Sequence, residues 1–395
     1  MRLFILWISI LFFLHTAVAQ TEEKPLDSVE LTIIPYGSFR GHFAFYNKEV
    51  EFQENASRIG FQMRVNKNGY AFFTGIELGM NLFKSNSQFN ADGNSAGGFI
   101  IAERDQVNQV FSSRLGYLGV DFGKWGTLSF GKQWSVYYDV TSYTDNFNVF
   151  GGQGSATYTA GTDGGGLGTG RADQSVIYRN IIGNFAFGIQ AQARTTLNNE
   201  WVDGIGLSAQ YEILKGLKVG AAFNKSFFND RLIEQSNVLG LDDNPTFYSG
   251  GISYRSKNLD LGIVFSNQSN GDLTEGFIIV PDAGEVFPTV VFDAKGFEIF
   301  SKYRWEEFAF LAGYNYYDPD TEDIRGPYDK KVISDKFGVK NFILGMEYKP
   351  FHIAYFYAEV RLAEGYNSLG IKNDDVVTMG LRIQLDHRFN KTIRF

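Results

Sequence analysis

From residue 31 to the end of the chain, segments of about ten residues alternate apolar and polar side chains, and the connections between them are alternately short and long. A side-chain period of two is the mark of an extended strand with one apolar face. The short connections fall at residues 65–70 (VNKNGY), 120–127, 180–184, 212–216 (EILKG), 255–258 (RSKN), 304–307 and 348–352 (YKPFH), and a long polar stretch separates each from the next. One tight rim and one rim of large loops is the construction of a β-barrel that spans a membrane.

The first residues give a destination. Arg2 precedes an apolar run over residues 3–14, and Ala17-Val18-Ala19 supplies a small-residue cleavage site, so residues 1–19 read as a secretory signal peptide cut after Ala19. That run is too short to cross a bilayer, and no later stretch approaches the ~20 uninterrupted apolar residues that a membrane helix needs. In lipid the mature chain, residues 20–395, is therefore expected as a closed barrel, because an open sheet edge has no water to bond. With 44 acidic against 36 basic residues, nucleic acid is an unfavourable partner. The absence of cysteine removes a disulfide framework and thiolate chemistry. The 38 Phe, 21 Tyr and 44 Gly suit twisted strands with aromatic girdles, although a secreted β-sandwich would share that composition.

The predicted fold is all-β, with sixteen antiparallel strands near residues 31–46, 58–65, 71–82, 110–120, 127–133, 174–180, 185–194, 204–212, 217–227, 246–255, 259–267, 296–303, 307–317, 341–348, 353–361 and 375–385. Fourteen and eighteen strands are the alternative counts the pattern leaves open. Parity assigns the faces, since a lipid-facing Arg or Lys at the bilayer midplane costs ~2–4 kcal/mol and a lumen-facing one stays hydrated. Phe39, Phe43 and Phe45 oppose Ser38, Arg40 and His42. Ile59, Phe61 and Met63 oppose Arg58, Gln62 and Arg64; Ile76, Leu78, Met80 and Leu82 oppose Gly75, Glu77 and Asn81; Leu115 and Tyr117 oppose Arg114. Phe395, with Ile393 two residues earlier, resembles the C-terminal recognition element of barrel precursors.

The longest connection between well-marked strands, residues 135–173, shows no helix or strand and turns Gly-rich at GTDGGGLGTGR, which reads as flexible. Around it stand SRLGYLGVDFGKWGTLSFGKQW, YDVTSYTDNFNVFGG and GRADQSVIYRN. These blocks, with SRIGF at residues 57–61 and LGIKNDDVVTMGL at 369–381, resemble the general, matrix-type trimeric porins of Gram-negative outer membranes. The resemblance covers most of the mature chain and is strongest in the long-loop block. It implies a sixteen-stranded barrel in a homotrimer, contacting outer-membrane lipid and lipopolysaccharide, whose third loop folds inward to narrow a water-filled pore for small hydrophilic solutes and ions.

Position by position, the resemblance places Arg58, Lys132 and Arg171 on a basic wall and Asp145 on the acidic loop. Arg40 and Arg114 join the basic side of the candidate constriction by parity, and Glu77 joins Asp145 on the acidic side. Each of these is otherwise read as a hydrated or paired lumen residue away from any constriction. Val149 stands where the family usually has a glutamate, and Ser38 where it often has a lysine, so the field is expected to favour anions more than in cation-preferring members. Asp163 and Asp173 can offset this from the pore side. Regular alternation would place Lys132 in lipid beside Phe130 and Trp134; a bulge at Gly131 would turn it into the lumen, and snorkelling or a subunit contact is the other reading.

Other motifs carry less. Gly93-Asn94-Ser95-Ala96-Gly97 fits G-x-S-x-G without a strand-to-helix elbow. Asp318, Asp320, Glu322 and Asp323 form an acidic stretch in an external loop without the calcium-loop glycine. His42, His352 and His387 make no zinc motif, so no cofactor, metal or catalytic residue is expected. Two alternatives to a general diffusion channel remain: a substrate-specific channel, anion- or phosphate-selective, and a surface barrel such as an adhesin whose loops do the work.

Overall fold

The computed structural model describes residues 28–82, 110–159, 162–193, 201–228, 233, 239–274, 290–324, 331 and 333–394. The signal peptide, the G-x-S-x-G match and Phe395 lie outside the described residues. The strands are β1 (Ser28–Tyr46), β2 (Glu49–Glu54), β3 (Ser57–Lys67), β4 (Tyr70–Met80), β5 (Phe111–Asp121), β6 (Thr127–Trp134), β7 (Arg171–Ile182), β8 (Phe185–Gln192) and β9 (Gly204–Leu214). They continue as β10 (Leu217–Ser226), β11 (Thr246–Arg255), β12 (Leu259–Thr274), β13 (Val290–Trp305), β14 (Phe308–Asp320), β15 (Val339–Phe351), β16 (Ala354–Ala363), β17 (Val376–Asp386) and β18 (Phe389–Arg394). All lie in one antiparallel sheet, each paired with its sequence neighbour from β3 to β17, and β1 closes it by pairing with β3 on one side and β17 on the other. β2 continues the line of β3 past Ala56, whose φ is +53°, and β18 continues that of β17 past His387 and Arg388. The closed barrel therefore has sixteen staves.

Its polarity is that of a membrane barrel. Phe72 and Leu118 are 65% and 62% exposed on the outer face, whereas Glu298 and Glu359 on the inner face are fully buried. A sandwich would bury the Phe and Leu face instead. Tyr70, Trp125, Trp305 and Phe351 are exposed along the tight-turn rim, where aromatic rings suit the headgroup level. The turns there are short because their residues permit it: Asn68 and Gly69, at φ +51° and +85°, have the two positive φ values of a twisted two-residue hairpin turn.

The chain departs from regular alternation in β5. Glu77 pairs with Leu115 and Leu78 with Ser113, so Arg114 is an extra residue in a bulge. The bulge reverses parity, and Leu115 and Tyr117, expected toward lipid, share the inner face with Glu77: Leu115 is buried and the Tyr117 ring covers Gly75. Residues 386–394 lengthen the last stave rather than forming a tail, pairing residues 389–394 with residues 28–33 of β1. Asp318 and Asp320 belong to the end of β14, not to a loop. The long connection contains one helical turn, Tyr138–Thr141, where none was expected.

Candidate functional site

The connection from β6 to β7 leaves and rejoins the wall through a closed neck, in which Ser135 donates its N–H to Gly170 O at 2.8 Å and its hydroxyl to Thr169 O at 2.7 Å. From there it lies against the polar face of successive strands. On β8, Gln192 Nε2 donates to Gly165 O at 2.9 Å and Gln190 Nε2 to Gly168 O at 3.0 Å. On β10, Asn224 Nδ2 donates to Leu167 O at 2.6 Å. The glycine run, read from sequence as flexible, is thus bonded to the wall at several carbonyls. Tyr143 reaches Gln210 Oε1 of β9 at 2.7 Å. Beneath this part Tyr137, Val140 and Tyr143 pack with Ala222, Phe247 and Val264, an apolar core between loop and wall.

Two wall glutamates hold the far half. Glu298 of β13 accepts the N–H of Gly154 at 2.6 Å and the hydroxyl of Thr144. Glu359 of β16 accepts the N–H groups of Asn148 at 2.6 Å, Val149 at 2.9 Å and Phe150 at 3.4 Å. Asn55 Nδ2 then donates to Asn148 O at 3.1 Å, so the tip reaches the stave formed by β2 and β3. Val149 and Phe150 pack with Ala44, Ile343, Tyr355 and Tyr357. Gly296 makes the close approach possible, since a Cβ there would sit 1.6 Å from Gly154 O. Gly296→Ala is therefore expected to push the loop off β13, lowering stability by about 1–3 kcal/mol as overpacking does. Heat-modifiability on gels and single-channel conductance would both shift; a variant unchanged in both would show that the contact does not position the loop.

The remaining arc, β17, β1 and β3 to β7, carries a cluster of cations; on the loop-bearing strands Lys302 of β13 pairs with Glu347 and Arg361 of β16 lies over the Phe150 ring. Arg40 of β1 sits directly opposite Arg382 of β17, with Arg40 Nε donating to Ser38 Oγ at 2.8 Å. Glu77 of β4 receives Arg114 Nε at 2.7 Å and lies 3.7 Å from Arg58 NH1, and Tyr36 donates to its second oxygen at 3.1 Å. Glu77, expected on the acidic side with Asp145, is thus paired with Arg58 and Arg114. At Gly131, φ +121°, the pairing with β7 shifts register, and Lys132 Nζ reaches Asp163 at 2.7 Å and Asp173 at 2.9 Å. A Cβ at Gly131 would sit 2.2 Å from Gly116 O, so only glycine fits this bulge.

Arg171 Nε lies 3.3 Å from the same Asp163, and its guanidinium covers the Trp134 ring, centroid 5.4 Å away, which stacks on Tyr138 at 4.0 Å. Burial works against the Asp163 charge, but Arg171 and Lys132 outweigh it and hold the carboxyl below its usual range. Asp145 accepts the hydroxyls of Tyr138 at 2.9 Å and Tyr158 at 2.8 Å; burial, followed by the Asp145 charge, raises both phenols, so they remain donors. Asp139 pairs with Arg179 at 3.0 Å and accepts the Ser208 hydroxyl.

Sequence reasoning did not single out Arg382, Glu298, Glu359 or Asn148. A signal existed for two of them. Glu298 in GFEIF and Glu359 in YAEV are lone carboxylates on the polar parity of strands otherwise rich in apolar residues.

Residues 13–368 match the family of Gram-negative porins. Outer membrane protein S2 of Salmonella typhi is 27% identical over 318 residues, 69% of this chain and 75% of that protein. Outer membrane porin N of Escherichia coli (strain K12) is 25% identical over 314 residues, 71% of this chain and 78% of that one. Among solved structures, the Salmonella typhi OmpF complex with daunomycin superposes with a TM-score of 0.66 at 18% identity, covering 90% of this chain and 97% of that chain. The trimer form of Vibrio cholerae OmpT gives a TM-score of 0.58 at 17% identity, covering 90% and 99%.

Proposed function

The chain belongs to the Gram-negative porin family, and on that premise we propose how this porin of the outer membrane filters what passes through it. The loop of residues 135–173 narrows the channel, and the aperture left between it and the arc of Arg40, Arg58, Arg114, Lys132 and Arg171 is the constriction. One observation carries this: Glu298 and Glu359 hold the loop on the inner wall along one arc, whose own cations Lys302 and Arg361 are covered by Glu347 and by the loop at Phe150, while Arg58, Arg114 and Lys132 stand on the other. Small hydrophilic solutes and ions pass by size, and opposed charges orient water and bias ions without binding tightly enough to stop them. No bond is made or broken.

The field favours anions. Glu77 lies among the arginines, Asp163 and Asp173 are shared with Lys132, and the loop position taken by Val149 carries no charge. The homotrimer is part of the same reading, supported by the family and by a trimeric structural neighbour, with outer-membrane lipid and lipopolysaccharide around the apolar outer face. Reconstitution of the purified protein in a planar lipid bilayer is expected to give open conductance steps in groups of three, and a zero-current potential of anion-selective sign under a KCl gradient. A folded, heat-modifiable barrel that never conducts would overturn the pore reading; a cation-selective sign would overturn the assignment of the field to the basic arc.

A further inference from the structure

We propose that the outer face of β8 to β11 holds one acyl chain of an anionic glycerophospholipid of the periplasmic leaflet, as a bound lipid and not as part of the fluid annulus. The inference rests on the barrel's place in the outer membrane and not on what the pore admits. An apolar groove of about 610 Å³ opens on that face. The strand register explains it. Phe187 of β8 lies opposite Ala209 of β9, Ala209 opposite Ala221 of β10, and Ala221 opposite Gly250 of β11, so at ~4.8 Å per strand a low floor crosses the sheet beside a phenylalanine. The depth is real at Gly250, where an added Cβ would meet only Gly220 O, at 3.9 Å.

The two sides of the floor differ. On the loop side Leu207, Phe223 and Tyr248 wall the groove, the last two rings 5.2 Å apart. On the tight-turn side the matching row is Phe185, Tyr211, Val219 and Ile252, and of these only Phe185 lines the groove. The groove is thus shut toward the outer leaflet and open toward the periplasmic one, on which the tight turns lie. Ala221 stands about 20 Å along the chain from Lys215, at ~3.3 Å per residue, which with strand tilt puts the floor near the middle of an apolar band ~25 Å tall. A chain anchored at the rim ends at that depth. The rim supplies the anchor: the β9–β10 and β11–β12 turns touch, Arg255 N donating to Gly216 O at 2.9 Å, and each carries an exposed lysine, Lys215 and Lys257. Glu212 of the first turn accepts the Gly216 N–H at 2.9 Å. Lysines at a membrane surface attract anionic headgroups, whereas a neighbouring subunit in the groove would make no use of them.

The test is native mass spectrometry of the full-length protein in detergent, titrated with phosphatidylglycerol, with phosphatidylcholine and with lipopolysaccharide. Phosphatidylglycerol should saturate at one tight lipid per chain and bind more tightly than the other two. Ala221→Phe, which fills the floor, is expected to raise its Kd about tenfold, the equivalent of about two displaced methylenes. The double variant Lys215→Gln, Lys257→Gln, confined to exposed turns, should abolish the preference over phosphatidylcholine. Ala312→Phe, on the outer face of β14 opposite Leu344, should leave binding unchanged. Single-channel conductance should stay at the wild-type value in every variant, so the pore and the lipid site are read separately. Lipid uptake that never saturates, wild-type binding in A221F, an equal loss in A312F, or tighter binding of lipopolysaccharide would overturn the site and leave the porin standing. A changed oligomeric state in A221F alone would overturn it in favour of a subunit contact.

Discussion

Replacing Glu359 by leucine is expected to free the tip of the inward loop and to give a larger, noisier channel. The carboxylate accepts three consecutive backbone N–H groups, of Asn148, Val149 and Phe150, and the Asn148 side-chain amide at 3.1 Å. Each donor left dry costs about 1–3 kcal/mol, and a buried leucine offers none of them a partner. Detachment restores water to these donors, so the tip leaves the wall even though Val149 and Phe150 lose their apolar contacts with Ile343 and Tyr357. Glu298→Leu acts on either side of that stretch, at Thr144 and Gly154, and the double variant should exceed either alone. Glu359→Gln keeps one acceptor oxygen and should be intermediate. Open-channel noise and conductance in a planar bilayer, with the temperature at which the folded barrel converts to the unfolded gel form, measure both effects. A leucine variant with wild-type noise, conductance and thermal transition would show that Glu359 does not hold the loop on the wall.

The residues behind that expectation were the hardest to reach from sequence, and the reason is physical. Lipid imposes one rule on every stave, apolar outward, so alternation alone revealed the strands, and the tight turns are encoded locally by residues such as Asn68 and Gly69. Failures came where a residue is added. Ser112, Ser113 and Arg114 form a polar run in which the period is invisible, and the bulge inside it sent Tyr117 to the face opposite the one its spacing suggested. Gly131 signalled the other bulge because glycine in a strand interior has few other uses. The loop's partners lie on strands far along the chain, so a lone Glu in β13 or β16 could be placed on the inner face but not against Gly154 or Asn148. Arg382 was hidden differently: its block matched the family as a strand, and the pairing with Arg40 depends on the register of closure. That register also accounts for the C-terminal segment, since β1 reaches back to Ser28 and offers a paired edge to Phe389–Arg394.

Neutralising Arg58, Arg114 and Arg171 is expected to remove most of the channel's anion preference, provided that Glu77 is neutralised with them. The triple variant R58Q, R114Q and R171Q alone would strand Glu77, which is 7% exposed and held by Arg58 and Arg114. Removing the partners of a buried charge costs about 3–5 kcal/mol, and misfolding would then obscure selectivity. Adding E77Q keeps amide donors and acceptors at similar positions and removes the stranded charge. What remains is Arg40 and Arg382 on the arc and Lys132 shared by Asp163 and Asp173, against Asp145 on the loop. At 0.1 M salt the Debye length is about 10 Å, so charges lining a narrow channel act on an ion along its path while those on the long outer loops are largely screened. The zero-current potential under a KCl gradient should therefore fall toward zero in the quadruple variant, with the step size altered much less. A potential that stays at the wild-type value would place the charge filter outside this arc.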